Sequence, residues 1–161
     1  MRQQRRGVRG GVLVMAVASG LIIASAGLQP ALDAQASGGK TVTDVRKSCQ
    51  ITVPSDWTVD LSTAYSPDKK ISATVHGMRA QAFDAAKTTF TSANKPLKTL
   101  KDDGKLLLYT MDAQPPEPGK TGWAAVKNTT PVCTVALLFP TGTKETTLQA
   151  IVDSLAAAAA K

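Results

Sequence analysis

The sequence has one histidine, two cysteines, 4% aromatic residues and, beyond residue 28, no long apolar run. A single histidine, His76, excludes a His-based metal pair and the H-E-x-x-H helix of metalloproteases. Cys49 and Cys133 lie far apart with no C-x-x-C spacing and no Cys/His cluster, which leaves a thioredoxin-like redox motif and a tetrahedral zinc site without support. At 161 residues and 16.8 kDa the chain is too short for the large catalytic folds of about 250 residues. With 43% apolar and 19% charged residues it is neither a wholly disordered nor a collagen-like chain. One small domain plus a removable segment is what these limits leave.

That segment is residues 1–36. Arg2, Arg5, Arg6 and Arg9 precede an apolar run over 11–28, and small residues follow, the three-part layout of a secretory signal. Ser19, Gly20, Ser25 and Gly27 interrupt the run, which would barely cross a bilayer core of about 30 Å. Cleavage is expected after Ala36, at Ala34-Gln35-Ala36 beyond Pro30, with Ala24-Ser25-Ala26 as the second choice. Arg5-Arg6 fits a twin-arginine pair, but Gln4, Gly7 and Val8 add nothing to it, so the general secretory route is expected. Lipid attachment at Cys49 is disfavoured by the charged Arg46 and Lys47 just before it. Export makes the protein periplasmic or secreted. The remainder carries 15 Lys and Arg against 11 Asp and Glu, net +4, too little for a nucleic-acid-binding surface.

In an oxidising compartment an even count of two cysteines reads as one disulfide, Cys49 to Cys133. A loop that long constrains the unfolded chain by about 4–5 kcal/mol in the chain-entropy account. The alternative is two buried thiols on neighbouring strands.

Residues 37–44, rich in Gly, Ser and Thr, read as a flexible leader, with the domain running over 45–161. Cys49, Ile51 and Val53 alternate with polar residues up to the Pro54-Ser55-Asp56 turn, as a half-buried strand does. Trp57, Val59 and Leu61 alternate again, and Ile71, Ala73 and Val75 predict a further strand. Phe83, Ala86 and Phe90 then share one face of an amphipathic helix predicted over 79–93. Asp102-Asp103-Gly104 between apolar stretches predicts a hairpin, since Gly accepts the positive φ of a tight turn. The unbroken Leu106-Leu107-Leu108-Tyr109 implies a strand covered on both faces. Three prolines make 114–119 an exposed loop. Strands are predicted over 123–126 and 132–139. Leu148, Ile151, Val152 and Leu155 form a helical stripe that runs into an alanine tail. The expected fold is α+β: an antiparallel β-sheet flanked by helices.

Ile51-Thr52-Val53-Pro54-Ser55-Asp56-Trp57 resembles the strand, Pro, x, x, Trp opening of the PsbP/Mog1/DcrB-like superfamily. The paired phenylalanines of the first helix, the hairpin ladder and the last helix with Ile151-Val152-Asp153-Ser154-Leu155 extend the resemblance over about 48–158. It implies a small α/β/α sandwich. Members serve as photosystem extrinsic subunits, a nuclear GTPase-binding factor and bacterial envelope proteins, so the resemblance implies a binding or assembly accessory and no particular chemistry. The two cysteines match no signature of that superfamily.

Ser66-Pro67-Asp68-Lys69, Ser92-Ala93-Asn94 and Lys120-Thr121-Gly122 reproduce in order the S-x-x-K, S-x-N and K-T-G elements of penicillin-recognising serine enzymes, with Ser66 as nucleophile and Lys69 as base. That chemistry needs both one turn apart on a buried helix, whereas 66–70 read as a polar turn. Gly119-Lys120-Thr121 echoes the end of a phosphate-binding loop, but Gln114 stands where its first glycine belongs. His76 reads as a strand-end structural residue, and Asp56, Asp102 and Asp103 as turn residues bonding their own backbone. Lys95, Lys98, Lys101 and Lys105 form either an ordinary solvated face or a contact for an anionic partner. Trp57 and Trp123 offer indoles to a sugar or peptide, with core packing as the alternative. The expected function is therefore that of an exported envelope accessory, monomeric and without cofactor or catalysis. It would bind an envelope protein or an anionic envelope component through Trp123, Lys120 and the 114–122 loop, with Trp57 as a further contact. A small serine hydrolase using Ser66 and Lys69, or a purely structural envelope protein, are the rival expectations.

Overall fold

The alternation around Cys49 and the unbroken leucines after Lys105 belong to two sheets that share one core. The computed structural model describes residues 38–79, 81–113 and 117–159, and the expected signal segment and its cleavage site lie outside them. In chain order the elements are β1 (Lys40–Thr43), β2 (Cys49–Val53), β3 (Thr58–Asp60), β4 (Thr63–Tyr65), β5 (Ser72–Met78), α1 (Phe83–Asn94), β6 (Pro96–Asp102), β7 (Leu106–Asp112), β8 (Lys120–Lys127), β9 (Val132–Pro140), α2 (Glu145–Asp153) and β10 (Ala156–Ala157). Seven strands form an antiparallel sheet in the order β3-β4-β5-β9-β8-β7-β6, and β1-β2-β10 form a smaller antiparallel sheet. The fold is α+β, as the sequence predicts.

Side chains on a strand point alternately to the two faces of its sheet, so a strand covered on both faces needs apolar residues throughout. Leu106 and Leu108 of β7 join a core with Ile51 and Val53 of β2 and Leu148, Ile151 and Val152 of α2. Leu107 and Tyr109 join a second core with Ala86, Phe83 and Phe90 of α1. The large sheet is thus sandwiched between α1 on one face and the small sheet with α2 on the other. Both cores are built from residues between Val42 and Leu155, so a chain starting at Ser37 contains all of them.

The bond between Cys49 and Cys133 joins the small sheet to β9, the central strand of the large one, with Cα atoms 5.6 Å apart. Both cysteines are fully buried. At this point the two sheets approach closely: a Cβ on Gly77 would collide with Ser48 Oγ.

Three sequence expectations are corrected here. The leader of 37–44 is structured from Lys40 onward, because β1 pairs with β2 from Lys40–Val53 to Thr43–Gln50, buries Val42 and ties Lys40 Nζ to the Trp57 carbonyl. Val59 and Leu61 do not follow Trp57 into the core: β3 ends in a turn with Leu61 at φ 51° and 79% exposed. The closing helix does not continue into the alanines. It stops at Asp153, Ser154 Oγ accepts from the Thr52 N–H at 2.8 Å, and Ala156 and Ala157 pair with Gln50 and Cys49. The Gly104 hairpin forms as predicted, with φ at 74°.

The staple spans 84 residues of sequence, so replacing it in the Cys49→Ala/Cys133→Ala pair is expected to lower the unfolding free energy by about 4–5 kcal/mol. Urea unfolding of the two proteins at one pH measures this; equal midpoints would contradict it.

Candidate binding surface

The residues the sequence offers for recognition divide sharply once placed. Trp57 and Trp123 are 4% and 7% exposed and belong to the core beneath the small sheet, where Trp123 meets Phe139 edge to face at 5.8 Å. Neither indole presents a stacking face, which corrects their expected role as partner contacts: Trp123 shares the inward face of β8 with Ala125, two residues on. Lys120 pairs with Glu117, so its ammonium is already partnered. Residues 114–116 of the loop expected beside it lie outside the described residues.

Ser66 and Lys69 occupy the turn between β4 and β5. Ser66 Oγ donates to Asp68 Oδ1 at 2.6 Å and accepts the Ile71 N–H at 3.0 Å, while the Lys69 N–H donates to the Ser66 carbonyl at 2.8 Å. With Lys69 at φ 57°, the segment is a turn and not the helix an S-x-x-K pair requires. The Ser66 hydroxyl, the Lys70 N–H and the Lys70 charge lower the Asp68 pKa, so this cluster stabilises the turn. His76 is exposed on β5, and among the described residues no group of three His, Cys, Asp or Glu is arranged to hold a metal.

What the structure does expose is β6. All of its residues lie at the surface, because α1 sits over β7 and β8 and leaves this edge outside its cover. Register shifts occur on either side of Leu97 and of Leu100, which are 61% and 41% exposed. Bulges, an edge proline and lysines are the features by which sheet edges resist strand addition, and β6 has all three. Its outward character is therefore a side-chain patch rather than a free backbone template. Lys101 pairs with Asp103 at 3.1 Å, and Lys87 of α1 reaches Asp102 at 3.3 Å and Asp84 at 3.6 Å over the Phe83 ring. Lys95 and Lys98 have no carboxylate partner among the described residues, so Leu97 lies between two unneutralised cations and Leu100 follows the second.

A second organised region is the turn between β1 and β2. Asp44, 3% exposed, accepts the N–H groups of Ser48 at 2.6 Å, Cys49 at 2.8 Å and Arg46 at 3.3 Å, and the Ser48 hydroxyl at 3.0 Å. Burial pushes its pKa up, but the bonds from Cys49, Ser48 and Arg46 together outweigh that, and the net shift is downward. Asp44 carries no apolar periodicity that would mark it, although an Asp two residues ahead of the polar Arg46-Lys47-Ser48 that enters β2 is a turn signal. At the far edge the N–H groups of Leu106 and Lys105 and the Lys101 side chain lower Asp103 to about 2. Burial raises Tyr109 to about 12, its hydroxyl donating to the Phe90 carbonyl at 3.3 Å.

No family model and no curated protein matches the sequence. Among solved structures the chain is similar to the solution structure of cyanobacterial PsbP (CyanoP) from Synechocystis sp. PCC 6803. The two share 12% identity at a TM-score of 0.44, over 90% of this chain and 98% of that one. No residue role is carried across a likeness of this degree.

A carboxylate with a depressed folded pKa stabilises the fold above its unfolded value, near 3.9, and that contribution is lost as pH falls through the folded value. Asp44→Asn, which leaves Ser48 and Cys49 N–H groups facing a weaker acceptor, is expected to cost about 1–3 kcal/mol at pH 7. The difference between variant and parent should shrink below about pH 4. Thermal unfolding at pH 7 and pH 3 checks both; a constant difference across that range would contradict the assignment.

Proposed function

We propose that this protein is an exported envelope accessory that acts by binding, without catalysis, and that the β6 patch is where it holds a partner protein. The observation that carries the reading is the pair Leu97 and Leu100, exposed on a wholly exposed strand beside Lys95 and Lys98. Burying a leucine side chain is worth about 1.5–3 kcal/mol, and an unneutralised lysine beside it selects for a carboxylate. The partner is then a protein surface with an apolar centre and an acidic rim. A second copy of this chain is disfavoured, because two β6 patches would bring like charges together, and the protein acts as a monomer.

Export is supported by the layout of residues 1–36 and by a disulfide compatible with a periplasmic or extracellular setting. Among the described residues no helix is long and apolar enough to cross a membrane. Membership of the PsbP/Mog1/DcrB-like superfamily belongs to the same proposal and rests on the residues around Ile51 to Trp57 and on the last helix.

The test is capture from envelope extract by the chain beginning at Ser37, set against its Leu97→Ser/Leu100→Ser variant. Both leucines are exposed, so the variant is expected to keep its stability to within about 0.5 kcal/mol. Partners of the parent should be retained at least about tenfold less well by the variant. Equal retention by both proteins would remove β6 from the account.

A further inference from the structure

Four chain segments meet at one end of the large sheet. Cys133 pairs with Gly77 on one side and Lys127 on the other, and Lys127 pairs with Leu106. The Asn128 N–H donates to the Lys105 carbonyl, and the disulfide brings Cys49, with Arg46 and Lys47 just before it, to the same end. Arg46, Lys47, Arg79 and Lys105 are all exposed there. None of the four has a carboxylate partner among the described residues.

The acids of that end are already committed. Asp84 and Asp102 share Lys87, Asp103 holds Lys101, and Asp44 is buried in its own turn. Asp153 remains, accepting from Gln149 at 2.8 Å, while its carbonyl accepts from Lys127 Nζ at 3.0 Å. The surface therefore has a cationic excess that its own carboxylates do not neutralise. At its tip stands Val45, 67% exposed, next to Arg46 and Lys47. The tip is rigid: Asp44 fixes the N–H groups of Arg46, Ser48 and Cys49, and the Lys47 N–H donates to the Asp44 carbonyl at 2.8 Å.

We propose that this end is a docking surface for an anionic phospholipid bilayer. Cations spread over separate turns at one blunt end match a sheet of phosphates better than they match a single small anion. An apolar residue, Val45, followed directly by the two cations Arg46 and Lys47 suits the boundary between headgroups and acyl chains. A tip held in one conformation loses little freedom when it docks. This surface shares neither Leu97 nor Leu100 with the β6 patch, so the two proposals fail separately.

The experiment is co-sedimentation of the chain beginning at Ser37 with vesicles of phosphatidylcholine alone or mixed with about one-third phosphatidylglycerol, at low and at physiological salt. Binding is expected on the anionic vesicles and to weaken with salt. Arg46→Gln/Lys47→Gln should reduce it by about fivefold per cation removed, whereas Lys69→Gln/Lys70→Gln, in the turn at the opposite end, should not. Circular dichroism of each variant separates lost binding from lost fold. Absent binding, equal binding to neutral vesicles, or full binding by the Arg46/Lys47 variant would overturn the proposal. So would binding to heparin, a soluble polyanion, without binding to vesicles, because that would favour an acidic macromolecule over lipid.

Discussion

The covalent bond between Cys49 and Cys133 is the constraint on which the arrangement of the two sheets depends. It fixes the first residue of β2 against the central strand of the seven-stranded sheet, at a point where Gly77 leaves room for Ser48 and where a methyl group would collide with it. From that point β2 holds β1 on one side and β10 on the other, and Ser154 hooks the end of α2 onto Thr52. The core beneath the small sheet is therefore organised by a strand whose position is set by chemistry as much as by packing. A small domain buries a limited fraction of its surface, and a staple of this kind supplies a substantial share of its margin of about 5–15 kcal/mol.

The sheet itself dictates which surfaces are available for binding. With both faces covered, one by α1 and the other by the small sheet and α2, the unburied features are its edges and its ends. At the β6 edge, bulges turn leucines outward and lysines discourage a second strand. At the end beside the disulfide, turns gather cations while the nearby carboxylates are consumed in local pairs. One surface thus offers apolar contact with weak steering, and the other offers charge with a single apolar tip.

Much of this was legible in the residues. Alternation at Cys49, Ile51 and Val53, the Asp103-Gly104 turn, the two-faced run over 106–109 and the stripe of Leu148, Ile151 and Val152 each gave the right element, because in each the buried side chains carry the periodicity. β1 and β10 were not legible, since they are strands by virtue of backbone pairing with β2 and bury few large side chains of their own. Leu61 misled because its alternation with Val59 ends in a left-handed turn. For Trp123 the residues leave ligand contact and core packing both open, although its spacing from Ala125 places both on one face of β8. The binding surfaces were the least legible. The lysine cluster was visible, but its division between β6 and the β6–β7 turn, and the neutralisation of Lys101 and Lys87, exist only in the fold.

The most direct measurement of the central claim is amide hydrogen exchange of the chain beginning at Ser37, with the disulfide intact and after reduction and alkylation. The account predicts that breaking the bond loosens β1, β2 and β10 first, while amides of β7, β8 and β9 stay protected. Uniform loss of protection across both sheets, or no change in the small sheet, would show that the disulfide does not hold the two layers together.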